Sequence, residues 1–245
     1  MKLLVVFGSF ILTGVLIPSA QLMAQSNKSD SVFYESAVNN AITIYRQSSL
    51  DQSRFYNGRK YKPYGMGFIN GVPFFQSDKF TEGTLMYEGG FYDKVKLLFD
   101  LVKGMLIIKT DVAIELINER IEAFSISGHT FVRLTRDSLN NNFSTGFYEK
   151  LYNGKITIYK KEKKEIKENI SGTEGVRYEI INKTVYYLKK NGVYYYIKNK
   201  KHIDDILRDR QNEIQKFTRY NGLSFKNDPD NTLIQIAGYY DQLTR

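Results

Sequence analysis

The chain contains no cysteine and no tryptophan, and only two histidines and four prolines in 245 residues. Without cysteine there is no disulfide, no thiol nucleophile, no thiolate metal site and no lipidated N-terminal cysteine. Two histidines, His129 and His202, far apart in sequence, do not form the close spacing of a zinc site. The Gly-x-Ser-x-Gly elbow of a serine hydrolase is missing. Beyond the first two dozen residues no stretch is apolar enough to cross a bilayer as a helix. Acidic residues are the minority: 35 Lys and Arg face 26 Asp and Glu, giving a net charge of +9. The remaining composition, 42% hydrophobic and 25% charged, is that of a globular protein and excludes a disordered or fibrous one. The sequence thus offers no catalytic, cofactor-binding or metal-binding constellation, and no cofactor is expected.

The N-terminus reads as an address. Lys2 precedes an apolar run over 3–17, then Pro18, Ala20 and Ala24, with polar residues following from Gln25. This is the order of a secretory signal peptide, with cleavage expected after Ala24 and Ala20 as the second candidate site. The apolar run is too short for a membrane anchor. The expected product is periplasmic or secreted, carries no transmembrane span after cleavage, and has no nucleic-acid partner.

After a polar linker over 25–30, residues 31–245 are expected to form one α+β domain. Phe33, Ala37, Ala41 and Ile44 mark a helical stripe over 31–47. Residues 51–81 are punctuated by Gly, Pro and Asn-Gly but rich in aromatics, which predicts a long loop wrapped against a core. From 83 to 200 the period changes to two. Val95, Leu97 and Phe99 alternate with charges as a half-buried strand. Asn153-Gly154 and Asn191-Gly192 each predict a type I′ hairpin turn. A curved antiparallel meander of roughly eight to ten strands follows from these short connections. Ile203, Ile206, Leu207, Ile214 and Phe217 then trace a helix ending at Asn221-Gly222. Asp228-Pro229 opens a last helix with Leu233, Ala237 and Tyr240 on its apolar stripe. One N-terminal and two C-terminal helices are expected on one face of the sheet.

Each candidate for chemistry has a plainer reading. His129, after Ser127-Gly128, reads as a turn histidine, and His202 as a residue of a helix start. Glu82, Glu88, Asp93, Asp100 and Asp111 are available carboxylates whose separations the sequence does not give. Asp228–Asn231 lacks the alternating ligands of a calcium loop and reads as a helix cap. The run from Lys160 to Lys167, with interleaved glutamates, reads as a charged edge strand and, as a functional alternative, as a patch for an anionic surface. Nineteen tyrosines, clustered at 186–187, 194–196 and 239–240, put neighbouring rings on opposite faces of strands. They stabilise the sheet or offer outward rings for stacking.

Gly83-Thr-Leu-Met-Tyr87-Glu-Gly89, Phe124-Ser-Ile-Ser-Gly-His-Thr-Phe131, Leu151-Tyr-Asn-Gly154, Tyr194-Tyr-Tyr-Ile197 and Gly238-Tyr-Tyr-Asp241 carry a resemblance. Together they resemble a family of uncharacterised exported proteins of Bacteroidota-type Gram-negative bacteria. The resemblance implies an envelope location and brings no assigned site residues. The element order is also similar to that of periplasmic lipoprotein carriers with an open half-barrel, an analogy of fold alone. Two functions are therefore expected. The first is a non-catalytic envelope protein that binds an apolar or amphiphilic ligand, or a partner protein, in a groove between sheet and helices. The second is a carboxylate-dependent hydrolase acting on a glycan.

Overall fold

Period-two patterning becomes one antiparallel sheet in the computed structural model, which describes residues 55, 57–136, 143–171 and 175–244. All of these belong to one compact unit, Tyr45–Arg245. The expected signal peptide, linker and N-terminal helix over 1–47 lie outside the described residues. Eleven strands are described: β1 (Arg59–Lys60), β2 (Thr81–Tyr87), β3 (Gly90–Asp100), β4 (Met105–Lys109), β5 (Ala113–Glu115), β6 (Ile121–Ile126), β7 (His129–Leu134), β8 (Gly146–Asn153), β9 (Ile156–Ser171), β10 (Gly175–Lys190) and β11 (Val193–Ile197). The helices α1 (Lys200–Ile206), α2 (Gln211–Tyr220) and α3 (Pro229–Leu243) follow. The fold is α+β with an open sheet, as the patterning implies.

The strand order β1-β5-β4-β3-β2-β6-β7-β8-β9-β10-β11 departs from a simple meander in two places, where the short β1 pairs with β5 and where β6 pairs with β2. β2 to β5 run outward in sequence, then β6 returns to pair with the free side of β2, Leu85 opposite Phe124. The extra strands relative to expectation are the two-residue β1 and the three-residue β5, too short to leave a period. β9 and β10 are also far longer than their apolar patterns, because their outer halves are charged and still pair residue for residue from Lys190–Ile156 to Gly175–Ser171.

Side chains of β2 to β8 that share a face, among them Leu85, Tyr87, Leu97, Phe99, Leu106, Phe124 and Phe131, form one core with Phe55 and Phe75. β3 is not half-buried as its alternation suggests. Leu98 on its other face is covered by Phe74 and the aromatic loop, so residues 97–100 are buried on both sides. The loop over 61–75 is tied down at its start, where Tyr61 N donates to Ala113 O at 2.9 Å, in its middle and at its end. Asn70 exchanges two hydrogen bonds with the backbone of Ile180, at 2.7 and 3.2 Å, and Phe75 N donates to Phe99 O at 2.8 Å.

The second core lies between the helices and Ile156, Ile158, Tyr186, Leu188 and Ile197 of the sheet. Ile203, Leu207, Ile214, Leu233 and Ala237 fill it from the helical side. The expected single helix through Tyr220 is broken by a 3-10 turn at Arg208–Arg210, which lets α2 change direction while keeping its apolar stripe inward. Asp228 caps α3 by accepting from Asn231 N at 3.2 Å, with Pro229 at the first position.

The two Asn-Gly turns differ. Asn191 and Gly192 have φ of 51° and 81°, the I′ signature, between the paired Lys190 and Val193. Asn153 and Gly154 do not have positive φ, and the turn closes between Asn153 and Thr157. There Asp241 of α3 reaches in, accepting from Lys155 N at 3.1 Å and Tyr152 OH at 2.9 Å. A Cβ on Gly154 would lie 1.8 Å from that carboxylate, so this glycine is required for close approach, not for its backbone angle.

Candidate functional site

β9 outruns its neighbour. β8 begins at Gly146, so from Lys164 onward β9 faces the β3–β4 turn instead, with Lys164 N donating to Leu101 O at 3.1 Å. In the angle between this turn, the end of β7, the start of β8 and the β9–β10 arm lies a cleft of about 630 Å³. Its apolar walls include Phe99, Leu101, Phe147, Val185 and Tyr187. Its cations are Lys103, Arg133, Lys161, Lys163 and Lys183, and its carboxylates Glu119 and Glu162.

Strand alternation sorts these groups. Lys161 and Lys163 share one face of β9, while Lys160 and Glu162 share the other. Lys161 Nζ donates to Ser144 Oγ at 2.8 Å and to the Ser144 and Thr145 carbonyls at 3.3 and 3.4 Å, and lies 4.7 Å from the Tyr148 ring. Burial, with Lys163 nearby, pulls its pKa below the ordinary lysine value. Lys163 and Lys183 share one carboxylate, Glu165, at 3.3 and 2.6 Å. Hydrogen bonds from Lys183 and then Lys163 hold Glu165 below its usual range. Lys103 lies 3.7 Å from Glu115 and about 5 Å from the Tyr61 and Tyr64 ring centres. Arg133 is 18% exposed at the side chain; its one close hydrogen bond among the described residues goes to Thr135 Oγ1 at 3.1 Å, and Glu119, itself 74% exposed, is 3.9 Å away. A guanidinium carries five N–H donors, and among the described residues one close hydrogen bond engages this one.

A second polar system runs across the other face of β7 to β10. His129 Nδ1 meets Glu149 Oε1 at 2.5 Å, and its Nε2 lies 3.0 Å from Gln76 Nε2. Lys160 Nζ then meets Glu149 at 3.6 Å, Glu162 at 2.6 Å and Asp230 of α3 at 2.9 Å. Tyr186 OH donates to Asp230 at 2.5 Å. Burial alone would pull Lys160 down, but its hydrogen bonds to Asp230 and Glu162 push it above the ordinary lysine value. Here three carboxylates converge, and an ammonium sits among them. A glycosidase needs a protonated acid and a free carboxylate facing a sugar; this cluster is an ion network that joins α3 to the sheet.

The carboxylates singled out by sequence scatter. Glu82, Asp93 and Asp111 are exposed, and Glu88 pairs with Arg120. Asp100 is fully buried, accepting from Val102 N and Lys103 N at 2.9 Å and from Tyr64 OH at 2.9 Å, which shapes the β3–β4 turn beside the cleft. His129 does follow a turn, at Ser127-Gly128, but is tied into the Glu149 network instead of standing free. His202 lies in the first turn of α1, where Asn199 caps its N–H at 3.2 Å. It also lines a shallower cleft of about 610 Å³ with Tyr187, Tyr195, Tyr196, Asp205 and Ile206.

The lysine run is not the solvated edge that its composition suggests. Lys160 and Lys161 are held inside, and Lys164 Nζ donates to the carbonyls of Val72 and Phe74 at 2.9 and 2.6 Å. Arg133, the key cation of the cleft, carried no sequence signal at all; only the pairing of β7 with β8 brings it there, Arg133 opposite Phe147. Tyr186 and Tyr187 do point to opposite faces, yet both are buried. Tyr187 joins Phe143, Tyr148, Tyr159 and Tyr194 in an aromatic cluster on the face away from the helices.

Among the described residues no helix is long and apolar enough to cross a membrane, and no group of three or more His, Asp or Glu is placed to hold a metal ion. The chain matches no protein-family model, no curated protein and no solved structure.

Proposed function

We propose that the protein is an exported, non-catalytic envelope protein that binds an amphiphilic anion in the cleft between the β3–β4 turn and the β9–β10 arm. The observation that carries this reading is Arg133: a guanidinium 18% exposed at the side chain, with one close hydrogen bond among the described residues, lining a cavity with apolar walls. Burying a cation whose nearest carboxylate is exposed and 3.9 Å away is costly, and an anionic ligand would offset that cost with charge-assisted bonds. Phe99, Leu101, Phe147 and Val185 supply the surface for an apolar portion. The interface between sheet and helices is filled by aliphatic side chains, so the ligand is assigned to the cleft beside it. Export is supported by the amino-acid sequence over 1–24, a lysine, an apolar run and small residues at the expected cleavage site, and by the resemblance to exported Bacteroidota-type proteins.

The test is titration of the full mature chain with decanoate, followed by amide NMR shifts. Saturable shifts clustered at Leu101, Phe147 and Val185 are expected, and a Val185→Trp variant, which fills the cleft, should lose them. Shifts confined to another surface, or undiminished by that variant, would overturn the assignment.

A further inference from the structure

We propose that the shallower cleft, between the end of β11 and α1, binds a neutral saccharide. Val185 and Tyr187 border both clefts, but Tyr196, His202 and Asp205 line only this one of the two, so its occupancy is independent of the amphiphile's.

Register and helical spacing bring its groups together. β11 pairs with β10 only from Lys190–Val193 to Tyr186–Ile197, so Val185 has no β11 residue opposite it and the sheet opens there. Tyr187 opposes Tyr196 and shares a face with Val185. The two tyrosine rings meet at 5.6 Å, tilted by 53°, and Tyr196 remains 43% exposed. On α1, His202, Asp205 and Ile206 stand at i, i+3 and i+4 along one side, while Ile203 and Leu207 turn into the second core. Tyr195, opposite Leu188, belongs to the other face of β11 and only borders the cleft.

The polar groups of this lining are uncommitted. Among the described residues Tyr187 OH, Tyr196 OH and the exposed Asp205 carboxylate form no hydrogen bond or ion pair. The neighbouring Asp204, by contrast, is taken by Lys200 and Gln215, each at 3.0 Å. His202 Nδ1 lies 3.3 Å from Tyr196 O and 3.4 Å from Lys198 N, which pins the ring against the strand and leaves Nε2 for a ligand. A sugar ring presents apolar C–H faces and a rim of hydroxyls that both donate and accept. The Tyr196 ring offers the platform for such a face. Asp205 can accept from two adjacent hydroxyls, and the tyrosine hydroxyls and Nε2 answer others. An anion would meet the Asp205 charge, and a quaternary cation would leave the hydroxyls and the imidazole unused. Asp205 is the one carboxylate in the lining, so hydrolysis, which takes two, is not part of the proposal.

The experiment titrates the mature chain with maltohexaose, cellohexaose, laminarihexaose and mannohexaose, and with trigalacturonate and choline, followed by amide NMR shifts. At least one hexaose should give saturable shifts clustered at Tyr187, Tyr196, His202 and Asp205, and trigalacturonate should bind more weakly than that hexaose. Tyr196→Ala and Asp205→Asn should each weaken the binding about tenfold, while Tyr196→Phe, which keeps the ring, should retain most of it. Tyr220→Ala, which removes a tyrosine 91% exposed elsewhere, should change nothing. Silence with every hexaose, shifts confined to another surface, or undiminished affinity in either weakening variant would overturn the saccharide site. Trigalacturonate binding as tightly as the hexaose would overturn its neutrality, and choline alone shifting these amides would replace the sugar with an organic cation. None of these outcomes touches the decanoate titration, which reads Leu101 and Phe147 in the other cleft.

Discussion

Asp100 shows how much one residue decides beside the cleft. Its carboxylate is fully buried and holds the β3–β4 turn through Val102 N, Lys103 N and Tyr64 OH. Burial raises its pKa above the ordinary 3.8, against the lowering effect of those hydrogen bonds. The folded chain therefore keeps this proton to higher pH than the unfolded chain does. Stability from Asp100 is fully present below 3.8 and is lost as pH rises through the raised folded value. Asn at this position keeps an acceptor for both backbone N–H groups and does not titrate. Asp100→Asn should stay within about 1 kcal/mol of wild type at acid pH and gain on it as pH rises, whereas Asp100→Ala should lose about 1–3 kcal/mol at every pH. Urea melts from acid to neutral pH measure this, and parallel curves for wild type and Asp100→Asn would contradict it. The importance of Asp100 was not legible in sequence, where it was one carboxylate among several, because its burial comes from the loop carrying Tyr64 and Phe74.

At the scale of the element, the β9–β10 hairpin organises both the cleft and the ion network. Its register was half legible. The apolar stretches at 156–159 and 185–188 marked the inner ends, and Asn191-Gly192 fixed the next turn. The outer halves read only as charge, and which lysines turn inward depends on what β8, the 61–75 loop and α3 place opposite them. Lys160 is the sharpest case. Lys160→Met would leave Glu149, Glu162 and Asp230 facing one another without a cation. We expect a loss of about 2 kcal/mol at neutral pH, short of the figure for fully buried pairs because Asp230 and Glu162 keep 38% and 27% side-chain exposure. Thermal melts of wild type, Lys160→Met and Lys160→Arg measure this: the arginine variant, which keeps the cation, should recover most of the loss. Equal melting of the two variants would show that the aliphatic stem of Lys160, and not its charge, is what α3 rests on.

For the whole molecule, composition and period gave the class, an antiparallel sheet with helices after it, while the return of β6 to β2 and the confinement of the helices to one end of the sheet had no local signal. That confinement creates two cores of different kind. Residues of β2 to β8 cover one another and are closed by Phe55 and Phe75, so this core draws on no helix among the described residues. The core at β9 to β11 has no such self-closure: Ile156, Ile158, Leu188 and Ile197 are covered only because Ile203, Leu207, Ile214, Leu233, Ile236 and Ala237 lie on them. Each aliphatic side chain left bare would forfeit roughly 1.5–3 kcal/mol, and a contiguous apolar face on paired strands invites association. Deleting residues 201–245 should therefore yield aggregated protein. The milder variant Leu233→Asp should stay soluble but melt early, with hydrogen exchange accelerated at 186–188 and 193–197 before it changes at 85–87 and 97–99. Uniform acceleration across both sets of amides would mean that the two cores open as one, and a soluble, cooperatively melting deletion product would mean that the sheet needs no helical cover.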